Sequence, residues 1–203
     1  MGQQDYLELL GAAHRPNAAV TLALAGVIAQ AACRLPPYDV PIAGLDAIAL
    51  SALRKRIFPN LLFSLMPDQR TEAARCDEFD DLLELLLDHR TVDDDESRWL
   101  AHAVATASMG TNHLWQDMGL ADRGALSWLM THHFSALAMR NTGDMKWKKF
   151  FYRQLCERAS LFICRSPSCG VCTDYAQCFG PEEGVPFAAQ SGAAAAQASR
   201  PGA

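Results

Sequence analysis

Apolar residues in this chain recur at helical spacing, and no stretch shows sustained alternation of apolar and polar residues. The stripe from Leu45 to Ile57 follows an i, i+3/i+4 pattern, and a second stripe runs from Phe79 to Leu87. Few clusters of Val, Ile and Thr are bounded by hairpin turns, so strands are not expected. The sequence therefore predicts an all-α single domain of six or seven helices with short connections.

Capping residues and prolines mark the ends of these helices. The expected helices run from Asn17 to Ala32, from Leu45 to Phe58, from Thr71 past Leu87, from the acidic residues 93–96 to Met109, from Asp122 to Met139, and from Asp144 to Ile163. After Gly180 the composition shifts to Ala, Gly, Pro and Ser. We expect a helical domain over residues 1–180, with a cysteine-rich loop at 164–178, followed by a disordered tail at 181–203.

Charge and the N-terminal segment limit the possible environments of the protein. The net charge of −5 argues against a broad nucleic-acid-binding face. The apolar run from Ala18 to Ala32 is too short to span a bilayer, and Asp5 and Glu8 precede it where a signal peptide would carry basic residues. We therefore expect a cytoplasmic protein that binds neither nucleic acid nor membrane.

Four of the seven cysteines lie within fifteen residues. The spacing C-x4-C-x2-C-x5-C is formed by Cys164, Cys169, Cys172 and Cys178. Pro167 and Gly170 allow the tight backbone turns that would bring these thiolates together. The four cysteines are therefore expected to bind a metal centre.

The spacing favours an iron–sulfur-type cluster over zinc. Structural zinc usually takes its ligands from two short knuckles separated by a dozen or more residues, whereas closely spaced cysteines in one run are typical of cubane clusters. Such a cluster is anionic, and Arg158 and Arg165 are candidates to offset its charge. A histidine from another helix, His113 or His133, could add a nitrogen ligand, although a histidine on a helix is usually an ordinary core or surface residue.

A basic segment at 146–153 precedes the cysteine run. Its aromatic residues share one helical face with Gln154 and are expected in the core, while its lysines are expected to face water. Those lysines could bind an anion or an acidic partner, but a solvated face is the simpler interpretation. No phosphate-binding loop, catalytic triad or dinucleotide fingerprint is present in the sequence.

Two further motifs accompany the cysteine run: HLWQDMGL at 113–120 and MKWKKFFYRQLC at 145–156. With these three motifs in this order, the sequence resembles the NifQ family of nitrogen-fixation proteins. The resemblance extends over about residues 40–180 and is strongest from 110 onward. It implies a non-enzymatic carrier of a molybdenum–iron–sulfur cluster held by the four cysteines. Such proteins pass molybdenum from its source to the nitrogenase iron protein and the cofactor scaffold complex, for assembly of the iron–molybdenum cofactor.

Two other kinds of protein remain open from the residues themselves. One is a helical iron–sulfur DNA-repair glycosylase, although its first cysteine spacing is longer and the basic surface here is thin. The other is an interaction module stapled by zinc. Metal content separates the three interpretations.

Overall fold

A computed structural model describes residues 2–63, 65, 75–161 and 169–189. Within these ranges it contains ten α-helices, three short 3-10 turns and no strand, which confirms the all-α prediction. The helices are α1 (Gln3–Ala12), α2 (Ala19–Ala29), α3 (Ala47–Ile57), α4 (Asp77–Asp88), α5 (Asp95–Ser108), α6 (Leu114–Asp117), α7 (Arg123–His133), α8 (Ser135–Ala138), α9 (Trp147–Arg158) and α10 (Tyr175–Phe179).

Aspartate side chains begin three of the longer helices. Asp46, Asp94 and Asp122 each accept a hydrogen bond from the backbone amide three residues later, at 2.7–2.8 Å. These bonds satisfy amides that have no partner inside the helix. The predicted helix start at Asp122 is confirmed, and the acidic residues 93–96 do open a helix.

Several predicted boundaries were wrong, and local backbone geometry explains three of them. The helix expected to reach Met139 ends at His133, because Phe134 leaves the helical region and turns into the core. Asp144 has a positive φ of 52°, so it forms part of a turn and does not cap α9, which begins at Trp147. These breaks, with the short α6 and α10, raise the helix number above the expected six or seven. The helix predicted to reach Ile163 ends at Arg158, because Ser160 adopts a positive φ of 55°. The helix predicted from Thr71 begins at Asp77, and Thr71 itself lies outside the described residues.

Helices α2 and α5 are central to the core, and most of their residues are buried. α2 consists mainly of small and aliphatic residues and is buried from Val20 to Ala29 except at Leu22. Its Gly26 lies against the backbone at Gly119, where a Cβ atom would approach the carbonyl oxygen of Met118 to 2.2 Å. Gln30 donates a hydrogen bond to the carbonyl oxygen of Gln116 at 3.0 Å. This contact positions α6, which carries one of the sequence motifs.

The predicted disordered tail differs from the structure at its start. Phe187 is buried and packs edge-to-face on Tyr6, with ring centroids 5.8 Å apart. The side-chain amide of Gln3 donates to the carbonyl oxygen of Ala188 at 2.5 Å. Residues 181–189 therefore pack on the domain, because one aromatic ring and long-range hydrogen bonds stabilise a segment whose composition is otherwise poor in apolar residues. Residues 190–203 lie beyond the part of the chain that the structure describes.

No helix in the described ranges is long and apolar enough to cross a membrane.

Candidate metal-cluster site

The described part of the cysteine run is a succession of tight turns. Residues 169–171 form a 3-10 turn, in which the amide of Cys172 donates to the carbonyl oxygen of Cys169 at 3.3 Å. The amide of Tyr175 donates to the carbonyl oxygen of Cys172, also at 3.3 Å, and α10 follows with Cys178 in its last turn. Cys164, Arg165 and Pro167 lie outside the described residues.

The end of the run is anchored to the start of α9. The amide of Lys146 donates to the carbonyl oxygen of Cys178 at 2.8 Å. The Phe179 ring packs against Gly143, where a Cβ would lie only 3.2 Å from it, and it stacks on Tyr175 with centroids 4.5 Å apart. These contacts fix the C-terminal end of the cysteine-rich loop on the α8–α9 connection.

The three described cysteines of the run have free thiols of intermediate exposure. Thiolates are the ligands that iron–sulfur clusters and other soft metal centres require, so the donor chemistry fits such a cargo. Over the described ranges, however, no three Cys, His, Asp or Glu side chains are grouped closely enough to hold a metal ion. The fourth member, Cys164, belongs to the segment 162–168 that the structure does not describe.

The two candidate histidines lie in different surroundings. His113 precedes α6, and its Nδ1 lies 3.8 Å from Oε1 of Glu182, which follows the cysteine run. His133 ends α7 and is half-buried. Burial lowers the pKa of His133, while nearby Glu96 and Asp94 act in the opposite direction. These neighbours place His133 at the start of α5, whereas His113 lies beside the segment that continues from the loop.

A buried ion pair joins the two motifs that accompany the cysteine run. Nζ of Lys148 on α9 lies 2.6 Å from Oδ2 of Asp117 at the end of α6, and it also donates to the carbonyl oxygen of Gly110. Asn112 donates to the same carboxylate through its backbone amide and its side chain. The expectation that Lys148 faces water was wrong: its side chain is only 18% exposed. Burial lowers the pKa of Lys148, and Asp117 partly offsets this effect.

The segment after the loop carries a buried carboxylate that sequence reasoning did not single out. The Glu182 side chain is 4% exposed and accepts a hydrogen bond from Arg123 at 2.8 Å. Its Oε2 has no hydrogen-bond partner among the described residues. Arg123 also binds Asp144 and the carbonyl oxygen of Met145, so it links the α8–α9 connection to the segment that leaves the cysteine loop.

An open cleft of about 490 Å³ lies beside the cysteine loop. The residues that line it include Arg140, Phe150, Arg153, Cys169, Tyr175 and Phe179. Arg158 is one of the two arginines that were expected to offset the charge of a cluster. Its guanidinium group instead binds Glu84 and Asp88 on α4, at 3.3 and 3.0 Å. Arg140 and Arg153 are thus the described arginines that lie beside Cys169 in this cleft.

The fold and the site together define a small helical protein that carries a cysteine-rich loop on its surface. The NifQ family model matches residues 23–180, and the chain belongs to the NifQ family of nitrogen-fixation proteins. It is 42% identical to Protein NifQ of Azotobacter vinelandii over 151 residues, which cover 68% of this chain and 77% of that protein. It is 39% identical to Protein NifQ of Rhodobacter capsulatus over 167 residues, or 82% and 91% of the two chains.

A third relative, the Protein NifQ homolog of Sinorhizobium fredii, is 37% identical over 142 residues, or 70% of this chain and 62% of that protein. No solved structure matches the chain.

Proposed function

We propose that this protein is a carrier of a molybdenum–iron–sulfur cluster. It releases molybdenum for assembly of the nitrogenase iron–molybdenum cofactor, and the cluster is its cargo rather than a centre at which it turns over a substrate. The observation that carries the proposal is the placement of Cys164, Cys169, Cys172 and Cys178 within one short loop. Membership of the NifQ family supports the role in nitrogen fixation.

The form of the loop supports a temporary holder. The three described cysteines have intermediate exposure and are not grouped into a metal site within the described ranges, whereas a permanent structural metal usually has a closed set of four ligands. The C-terminal end of the loop is held by Lys146, at the start of α9, and the segment that follows it is held by the Arg123–Glu182 ion pair. Four thiolates can hold the iron corners of a cluster and leave a molybdenum corner partly open, so that molybdenum can leave.

A histidine ligand to molybdenum is part of the proposal. Of the two candidates, His113 is the better placed to be this ligand, since it lies beside Glu182 in the segment that follows the cysteine run. Metal analysis of His113→Ala, His133→Ala and the double variant should show which histidine binds molybdenum. The variant that loses molybdenum but retains iron identifies the ligand. Unchanged molybdenum in the double variant would remove histidine from the ligand set.

Anaerobic purification followed by metal and sulfide analysis tests the carrier function. Brown protein that contains iron, sulfide and molybdenum is the expected result. Iron and sulfide without molybdenum would favour a cluster of another purpose, such as that of a DNA-repair glycosylase. Colourless protein with one zinc per chain would overturn the proposal.

We propose that the protein delivers molybdenum to the nitrogenase iron protein and the cofactor scaffold complex, and that the transfer takes place in the cytoplasm. Lys149 on α9 is exposed and close in sequence to the residues that anchor the loop, so it is available to an acidic partner. Lys149→Glu should slow molybdenum transfer to the scaffold complex and leave the bound iron unchanged. Lys148 is unsuitable for this test, because its ammonium group binds Asp117 inside the protein.

A further inference from the structure

The segment directly after the cysteine run packs against the start of α6. Glu182 lies four residues after Cys178, and its Oε1 lies 3.8 Å from Nδ1 of His113. Gly184 lies against the side chain of Gln116, where an added Cβ would collide with the side-chain amide. That side chain accepts a hydrogen bond from the backbone amide of His113 at 3.3 Å. The segment therefore meets the HLWQDMGL motif at two points, one of which is the His113 ring.

The Glu182 carboxylate still has capacity to accept a hydrogen bond. Its side chain is 4% exposed, Arg123 donates to Oε1, and Oε2 has no partner among the described residues. A buried polar atom without a partner costs free energy, so this carboxylate is a strong acceptor for a nearby N–H group. The distance of 3.8 Å to Nδ1 of His113 is longer than a direct hydrogen bond. A small rotation of the partly exposed His113 side chain towards the carboxylate would complete one.

The backbone of His113 is held in place, so its ring is the part that Glu182 can orient. The carbonyl oxygen of His113 accepts a hydrogen bond from the amide of Gln116 at 2.9 Å, and the next two residues, Leu114 and Trp115, are buried. A neutral imidazole has one N–H and one free lone pair. Because an ionised carboxylate can only accept, a carboxylate on the Nδ1 side keeps the proton on Nδ1 and leaves the lone pair on Nε2.

We propose that Glu182 is the positioning residue of a histidine ligand: it holds the Nδ1 proton of His113, so that Nε2 is the nitrogen that binds molybdenum. The inference rests on the proposed carrier function and adds the ligating nitrogen and the residue that selects it. Histidines that bind metals commonly donate their other ring N–H to a carboxylate, which fixes the tautomer and makes the ligating nitrogen more basic. Glu182 acts through His113 and is not itself a ligand.

Nitrogen-15 NMR of the metal-free full chain at pH 8, where an ordinary histidine is neutral, tests the tautomer directly. We expect His113 of the wild type to carry its proton on Nδ1. Glu182→Gln keeps an acceptor for Arg123 but removes the charge, and its amide group can also donate, so His113 should no longer be held in that single tautomer. A wild-type His113 with its proton on Nε2 would overturn the proposal.

Metal analysis of anaerobically purified protein gives the second measurement. Glu182→Gln should lower the ratio of molybdenum to iron several-fold and leave the iron content unchanged, because the cysteines still hold the iron. Glu183→Gln, at the exposed neighbouring position, is the matched control and should keep the wild-type ratio. An unchanged ratio in Glu182→Gln would overturn the positioning role.

Phe187→Ala separates the orientation of His113 from the packing of the segment. Phe187 packs on Tyr6, so this variant should speed hydrogen exchange over residues 185–189 and yet keep the wild-type tautomer and metal ratio. A loss of molybdenum as large as that of Glu182→Gln would assign the effect to the whole segment and overturn the specific role of Glu182.

The same preparations separate this proposal from the carrier function. A wild-type protein that takes up neither iron nor molybdenum would overturn the carrier function, and the ligand role of His113 with it. A wild-type protein that holds both metals, with Glu182→Gln identical to it, would overturn only the role of Glu182.

Discussion

Nζ of Lys148 and Oδ2 of Asp117 lie 2.6 Å apart, and this ion pair joins α9 to the end of α6. The Asp117 side chain is 8% exposed, so the pair is largely shielded from water. Its two members are 31 residues apart along the chain and come from separate sequence motifs. The pair therefore fixes α9, whose start anchors the cysteine loop, against the segment that includes His113 and α6.

Removal of the Asp117 carboxylate should destabilise the protein strongly. Asp117→Ala leaves the Lys148 ammonium group and the Asn112 amides without their buried partner, and we expect a loss of about 3–5 kcal/mol in the free energy of unfolding. Lys148→Met should cost less, because the carboxylate keeps its bonds to Asn112. Urea unfolding of the metal-free protein measures both. The double variant should lose less than the two single variants combined, and strict additivity would argue against a coupled pair.

Buried His102 should make the fold sensitive to acid. Its Nδ1 lies 3.0 Å from the carbonyl oxygen of Ala43, and burial lowers its pKa from 6.5 to about 4. The folded state therefore binds fewer protons than the unfolded state between these values. The stabilisation is fully present above pH 6.5 and is lost as the pH falls towards 4, by about 3 kcal/mol in total.

Unfolding free energies of the wild type and of His102→Gln, measured in urea from pH 7.5 to 4, check the expectation for His102. The wild-type curve should fall more steeply over this window than that of the variant. Parallel curves would show that another group dominates the acid sensitivity.

A side chain at Gly26 should disrupt the contact between α2 and the end of α6. The added Cβ would meet the backbone of Met118 and Gly119, which cannot move aside as a flexible side chain could. We expect Gly26→Ala to cost about 1–3 kcal/mol or more. Gly11→Ala is the matched control, since nothing lies within 4 Å of its Cβ position, and it should stabilise α1 by about 0.5–1 kcal/mol. In thermal unfolding, Gly26→Ala should have a lower Tm than the wild type and Gly11→Ala a higher one.

Loss of the Glu182 carboxylate should release the segment that leaves the cysteine loop. Glu182→Ala removes the buried partner of Arg123, so residues 181–189 should exchange their amide protons faster and be cut more readily by proteases. Glu183→Ala, at the exposed neighbouring position, should change neither. Equal protection in both variants would mean that Phe187 alone holds the segment.

Substitutions of the cysteines should separate ligands from other thiols. Serine at any of Cys164, Cys169, Cys172 or Cys178 should lower the iron, sulfide and molybdenum content of anaerobically purified protein. Serine at the exposed Cys33 or Cys76 should leave these contents unchanged. Full metal content after substitution of one member of the run would exclude that cysteine as a required ligand.

The helical class, most of the core and the existence of a special loop could be predicted from the sequence. Helical spacing and the cap at Asp122 are local properties, and both are observed in the structure, whereas Asp144 does not cap α9 and several helix ends differ from the prediction. The aromatic face of α9 was expected from its periodicity, and Trp147, Phe150 and Phe151 are indeed buried. The resemblance to the NifQ family, which the family model confirms, also depended on residues close together along the chain.

Only the tertiary structure could decide which charged side chains are buried and where the arginines bind. Lys148 looks like any lysine in a basic segment, and its burial depends on a carboxylate from a distant helix. Arg158 is held by α4, whereas Arg140 and Arg153 come together beside Cys169 only through the path of the α8–α9 connection. The four-cysteine run determined by itself that the loop offers soft ligands. The surroundings of those ligands depend on long-range packing, which spacing along the chain does not encode.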